Sequence, residues 1–174
     1  MKKIKFYLLT GLSIIILGCN NTAEEKTAVV NIESKSGSNV TGKVTFTESG
    51  NMVKMKAEVF GLSEGNHAIH IHAIGDCSAE DGKSAGGHWN PTNSNHGKWN
   101  VGSYHLGDIG NIVADSNGNG VIERSTNNWC LNCDDDKKNI VGKAIIVHAG
   151  PDDFSSQPAG AAGPRVGCGE IKMK

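Results

Sequence analysis

The chain has 174 residues, with 17 Lys and Arg against 18 Asp and Glu, for a formal net charge of -1. After a short leader is set aside, that length suits one domain. The near-neutral charge argues against nucleic acid as a partner.

The leader comes first. Lys2, Lys3 and Lys5 precede an apolar run from Phe6 to Leu17. The run is short for a membrane span and has the layout of a secretory signal. It ends in Ile16-Leu17-Gly18-Cys19, which resembles the bacterial lipoprotein cleavage box. Residues 1–18 are therefore expected to be a lipoprotein signal peptide. Cleavage before Cys19 would leave a thiol able to carry a diacylglycerol and hold the protein on a membrane. The plainer alternative is an ordinary secretory signal with an incidental cysteine. Residues 19–26 are polar and unpatterned and read as a lipidated tether. The folded domain is expected over 27–174. Export implies an oxidising compartment, periplasmic or at the cell surface.

Next come strand signals. Val53, Met55, Ala57 and Val59 alternate with Lys54, Lys56 and Glu58, a strand buried on one face. Ser49-Gly50-Asn51 before it and Ser116-Asn117-Gly118-Asn119-Gly120 later are turn signals. The 23 glycines fit many turns and loops, and no long helical periodicity appears. The pattern predicts an all-β sandwich or barrel.

The chain has seven histidines, and all fall in five places. Three lie in His67-Ala-Ile-His70-Ile-His72. His88 lies in Gly86-Gly87-His88-Trp89-Asn90-Pro91. His96 follows, and then His105-Leu-Gly-Asp108. His148 ends the apolar run Ala144 to Val147. Neutral imidazole is the commonest transition-metal ligand, so this concentration predicts a metal site. Alternate side chains of a strand share a face, so Ile69 and Ile71 can enter a core while His70 and His72 point outward together. Three nitrogens and a carboxylate would suit zinc, and an all-nitrogen set would suit copper. Two four-coordinate sites need one more ligand than Asp108 and the histidines other than His67 supply. One histidine would have to bridge, and spacing alone does not say which.

Together these motifs, with Gly163-Pro-Arg165-Val-Gly-Cys168-Gly169, resemble the copper/zinc superoxide dismutase family. The likeness runs from roughly Lys26 to Lys174. It implies an eight-stranded Greek-key β-barrel, an immunoglobulin-like sandwich, with long metal-binding and active-site loops. It implies copper on His70, His72, His88 and His148, and zinc on His88, His96, His105 and Asp108, with His88 shared. His67 would hydrogen-bond within the barrel and bind no metal. Asp152 would link His70 to His96, and Arg165 would attract the anionic substrate. The implied activity is dismutation of superoxide to dioxygen and hydrogen peroxide by copper cycling. His88 would pass a proton, and zinc would orient and tune it. One departure concerns Phe154 to Pro164, which is uncharged where many eukaryotic relatives carry charges. Attraction of substrate is therefore expected to rest mainly on Arg165, the metals and nearby lysines.

The resemblance also pairs Cys77 with Cys168. Cys130 and Cys133, in Trp129-Cys-Leu-Asn-Cys-Asp134, are read as a second, local disulfide. A thioredoxin-like motif would need a βαβ context, and a third metal site would want histidine nearby. The functional rival is a lipid-tethered copper or zinc module without turnover. It needs the ligands but not Arg165, Asp152 or the Cys77–Cys168 tie. A third reading is a β-sandwich that lost the chemistry, and the intact ligand set opposes it. Oligomeric state stays open, a homodimer among the options.

Overall fold

Alternation in the sequence becomes inside and outside in the computed structural model, which describes residues 25–174. The expected signal peptide, Cys19 and most of the tether lie outside the described residues. Nine strands follow in order. They are β1 (Lys26–Ser34), β2 (Thr41–Ser49), β3 (Met52–Phe60), β4 (Gly65–His72), β5 (Asp108–Ala114), β6 (Gly120–Thr126), β7 (Ala144–His148), β8 (Arg165–Glu170) and the short β9 (Lys172–Met173). Among the described residues the one helical element is the single turn Lys83–Ala85. β1 begins at Lys26, inside the stretch expected as tether.

On β3, Val53, Met55, Ala57 and Val59 are buried while Lys54 and Lys56 are exposed. Gly50, at φ 60°, makes the tight turn that returns β2 into β3, where a β-branched side chain would be strained. Register then runs without a break from Thr41↔Phe60 to Ser49↔Met52.

The strands are hydrogen-bonded in the order β2-β3-β6-β5-β4-β7-β8-β1-β9, and β1 also pairs with β2. That second pairing closes eight strands into an antiparallel barrel. β9 is an added ninth, laid against the start of β1. β3 pairs with β6 and β4 with β7, so the chain crosses over as a Greek key does. Closure removes the exposed strand edges that would otherwise invite aggregation.

The interior holds Phe46, Met55, Ile69, Ile71, Ile109, Ile112 and Ile145, each at most 1% exposed. Each such side chain contributes about 1.5–3 kcal/mol by burial. Trp129 and Leu131 join this core from the loop after β6. The Trp129 indole N–H donates to the Leu106 carbonyl at 2.9 Å, so this loop supports the one carrying His105.

β4 and β7 lie side by side, with Ile69 opposite Val147 and His70 opposite Ile146. Ile69, Ile71, Ile145 and Val147 enter the barrel core. His70, His72, Ile146 and His148 therefore share the outer face. Yet all four are buried, because loops 73–107 and 149–164 fold over that face. Cys77 is bonded to Cys168 on β8, which pins the first loop to the barrel. A small second apolar cluster, Ala85, Ala144, Ile146 and Cys168, fills the space beneath. Cys130 and Cys133 are bonded as well.

Candidate metal centre

The outer-face histidines converge. One ligand atom from each of His70, His72, His88 and His148 lies within 4.8 Å of the others. A second group, His88, His96, His105 and Asp108, meets the same limit. His88 belongs to both, which spacing alone left undecided. β4 supplies His70 and His72, the end of β7 supplies His148, and the start of β5 supplies Asp108. Loop 73–107 supplies the other three.

Six buried imidazole nitrogens have no hydrogen-bond partner: His70 Nδ1, His72 Nε2, His88 Nε2, His96 Nδ1, His105 Nδ1 and His148 Nε2. A buried polar atom left unpaired costs about 1–3 kcal/mol, so six in one region call for a shared partner. The opposite ring nitrogens show why four of the six are free. The His70 Nε2–H donates to Asp152 Oδ2 at 2.9 Å, and the His96 Nε2–H to Asp152 Oδ1 at 2.9 Å. The His72 Nδ1–H donates to the Gly86 carbonyl at 2.9 Å, and the His148 Nδ1–H to the Gly163 carbonyl at 3.1 Å. Each bond fixes the tautomer that leaves a lone pair on the unpartnered atom.

Asp108 Oδ1 stands 2.8 Å from His88 Nδ1, 3.1 Å from His96 Nδ1 and 3.2 Å from His105 Nδ1. A tetrahedron with zinc–ligand bonds of about 2.0 Å has edges of about 3.3 Å. The other carboxylate oxygen, Oδ2, accepts from the His105 and Gly97 backbone N–H groups at 2.7 and 3.0 Å, which fixes its orientation. Both donor sets therefore fit metals: an all-imidazole group beside a three-imidazole, one-carboxylate group.

Charge follows the same division. Burial pushes His70 down to about 3, against the pull of its Asp152 hydrogen bond. Burial likewise lowers His148 to about 4 and takes His72 well below its ordinary value. These rings stay neutral, as ligands must. At His96 burial also lowers the pKa, but the two flanking carboxylates, Asp108 and Asp152, outweigh it and raise the ring to about 9. Burial alone would raise Asp108 and Asp152. Their histidine hydrogen bonds prevail and hold both carboxyls well below the usual range. The Asp108 group is thus the corner that most attracts a cation.

Arg165 opens β8 directly opposite His148. Its Nη1 donates to the Gly82 carbonyl at 2.8 Å and its Nη2 to the Gly86 carbonyl at 2.7 Å. Both acceptors are neutral, so its charge is oriented without being cancelled. That charge helps to lower the pKa of His72 and His148. Arg165 lines a cavity of about 330 Å³ with Ser36, Asp81, Lys83, Gly163 and Pro164. Lys83 is held by Asp81 at 2.8 Å, and Lys98 sits over the Phe154 ring at 5.8 Å. His67 lies apart from both groups. Its Nδ1–H donates to the His148 carbonyl at 2.9 Å, and its Nε2 meets the Ser63 hydroxyl at 3.1 Å.

Sequence reasoning missed the carbonyls of Gly82, Gly86 and Gly163. A backbone acceptor carries no residue signature. It also missed Gln157, whose side chain grips the His96 backbone.

The sequence profile of the copper/zinc superoxide dismutase (SODC) family matches residues 40–171. Superoxide dismutase [Cu-Zn] 2 of Aquifex aeolicus is 34% identical over 99% of this chain and 100% of its own length. The extracellular superoxide dismutase [Cu-Zn] of Caenorhabditis elegans is 31% identical over 97% of this chain and 78% of its own. The crystal structure of the clock protein EA4 superposes with a TM-score of 0.75 at 31% identity, over 85% of this chain and 94% of that one. Fold, donor sets and these matches agree, and the chain belongs to the copper/zinc superoxide dismutase family.

Proposed function

We propose that the chain converts superoxide to dioxygen and hydrogen peroxide, with copper held by His70, His72, His88 and His148 and zinc by His88, His96, His105 and Asp108. The observation that carries this reading is the set of six buried, unpartnered imidazole nitrogens. Copper bound there supplies one-electron redox chemistry, and zinc supplies a fixed, redox-silent positive charge.

The chain's own residues do the rest. Arg165 draws the anion into the cavity and orients it, because its guanidinium is held by two carbonyls and opposed by no carboxylate at bonding distance. His70, His72 and His148 keep rigid positions on paired strands, so ligand geometry need not relax between half-reactions. His88 Nε2 is the nitrogen able to take up a proton and pass it to reduced superoxide. Its Nδ1 lies 2.8 Å from Asp108 Oδ1. Asp152 holds the two groups in one frame through His70 and His96. A storage module without turnover would not need Arg165.

Superoxide consumption by the metal-loaded domain, with copper and zinc quantified on the same sample, tests the assignment. Turnover with one copper and one zinc per chain is expected. Saturation at a single ion would overturn the shared-histidine arrangement.

Two disulfides and an extracellular relative mark an exported protein. The finer reading is a bacterial lipoprotein, cut before Cys19 and anchored by acyl chains on that residue. Its support is the sequence Ile16-Leu17-Gly18-Cys19 behind a basic, apolar leader. Mass spectrometry of the mature N-terminus decides it, since an unmodified Cys19 rules the anchor out.

A further inference from the structure

Loop 149–164 carries no charge beyond Asp152 and Asp153, so it has little to offer an approaching anion. It does touch His96 in two ways. Asp152 accepts from the His96 imidazole at 2.9 Å. Five residues on, the Gln157 amide grips the His96 backbone from both sides. The His96 N–H donates to Gln157 Oε1 at 2.9 Å, and Gln157 Nε2 donates to the His96 carbonyl at 3.0 Å. These bonds join residues 61 apart in sequence. They leave one polar atom of His96 free, Nδ1, which faces the Asp108 group.

The turn between the two contacts is itself fixed. Gly160 N–H donates to the Ser156 carbonyl at 2.7 Å, and Asp153 N–H to the Gly160 carbonyl at 3.1 Å. Asp153 Oδ1 accepts from the N–H groups of Ser155 and Ser156. Gly160 has φ 71°, and a Cβ there would collide with Asp152 Oδ1 and come within 2.7 Å of His96 Nε2. Backbone, carboxylate and imidazole are packed so closely that only glycine fits. His96 is therefore seated by residues 152–160 through its ring and its peptide at once.

We propose that Gln157 is a positioning residue for the zinc group: it holds the His96 peptide so that Nδ1 points at the ion while Asp152 holds the ring. The proposal rests on the reading that zinc occupies the His88, His96, His105 and Asp108 set. It makes Gln157 matter to zinc retention and little to the barrel. Gln157 is exposed and is not a member of the apolar core.

The test compares wild type, Gln157→Ala and Gln157→Glu, all with disulfides intact. Zinc affinity is measured by chelator competition, and cobalt(II) at the same group reports ligand geometry through its visible absorption. Gln157→Ala should weaken zinc binding roughly 10-fold, the low end of what loss of a ligand-orienting partner costs, and should alter the cobalt spectrum. Gln157→Glu keeps the acceptor for the His96 N–H but loses the donor, so it should fall between the two. Copper affinity should stay within about twofold of wild type, and the melting temperature of the metal-free chain within about 2 °C. Zinc affinity of Gln157→Ala within about twofold of wild type overturns the proposal. So does an equal loss of metal-free stability, which would make Gln157 a general structural residue. A wild type that binds no second metal would instead refute the underlying zinc assignment.

Discussion

Arg165 is the only cation of its cavity left without a carboxylate partner among the described residues, since Lys83 is bound by Asp81. The two should therefore respond differently to substitution. Arg165→Glu is expected to lower turnover about 10- to 100-fold with both metals retained, because it replaces attraction of an anion with repulsion. Lys83→Ala should change it by less than about twofold, since a paired surface cation contributes little field. Superoxide consumption across a salt series, with metal content checked, separates the two; equal losses would place the attraction in a diffuse basic surface. Asp152 offers a second test at this scale. Its two oxygens fix the tautomers of His70 and His96. Asp152→Ala should weaken metal binding about 10- to 100-fold while the barrel stays folded. Chelator competition and circular dichroism check both halves of that statement.

The two disulfides differ in what they close. Cys77–Cys168 spans 91 residues and ties the metal-bearing loop to β8, three residues from Arg165. Cys130–Cys133 spans 3 residues within one loop. Chain-entropy reasoning assigns about 4–5 kcal/mol to the first and about 2 kcal/mol to the second. Cys77→Ser with Cys168→Ser should therefore cost more than twice as much denaturant stability as Cys130→Ser with Cys133→Ser. It should also lower turnover, since β8 would then hold Arg165 less firmly. Equal costs by urea titration would mean that native packing, not loop closure, sets both values. Element by element, the strands were legible early. The alternation of Val53 to Val59, the turn residues around Gly50 and the Ile–His alternation on β4 all announced strands. The loops were not legible, because Gly-rich segments have no period from which to read a path.

At the scale of the whole molecule, the metals and the fold should be strongly coupled. Six unpaired nitrogens and two ionised carboxylates are buried together against the barrel. Ions that bind this arrangement and not the unfolded chain stabilise it by about 4 kcal/mol at a 1,000-fold excess over Kd. Removing metal with a chelator should lower the melting temperature by on the order of 10 °C or more, and readdition should restore it. Calorimetry with and without metal measures this, and an unchanged transition would show that the two groups do not bind ions. What the sequence alone determined is local and chemical. Alternation put Ile69 and Ile71 on one face of β4 and His70 and His72 on the other, and the residue types announced metal chemistry. Tertiary structure decided which side chains meet. It put His88 in both groups, buried a face that alternation marked only as outward, neutralised Lys83 with Asp81 and brought Gln157 onto the His96 peptide. Strand periodicity reaches only to neighbours two residues apart, whereas these contacts depend on barrel register and on where two long loops cross, which is settled by packing between segments distant in sequence.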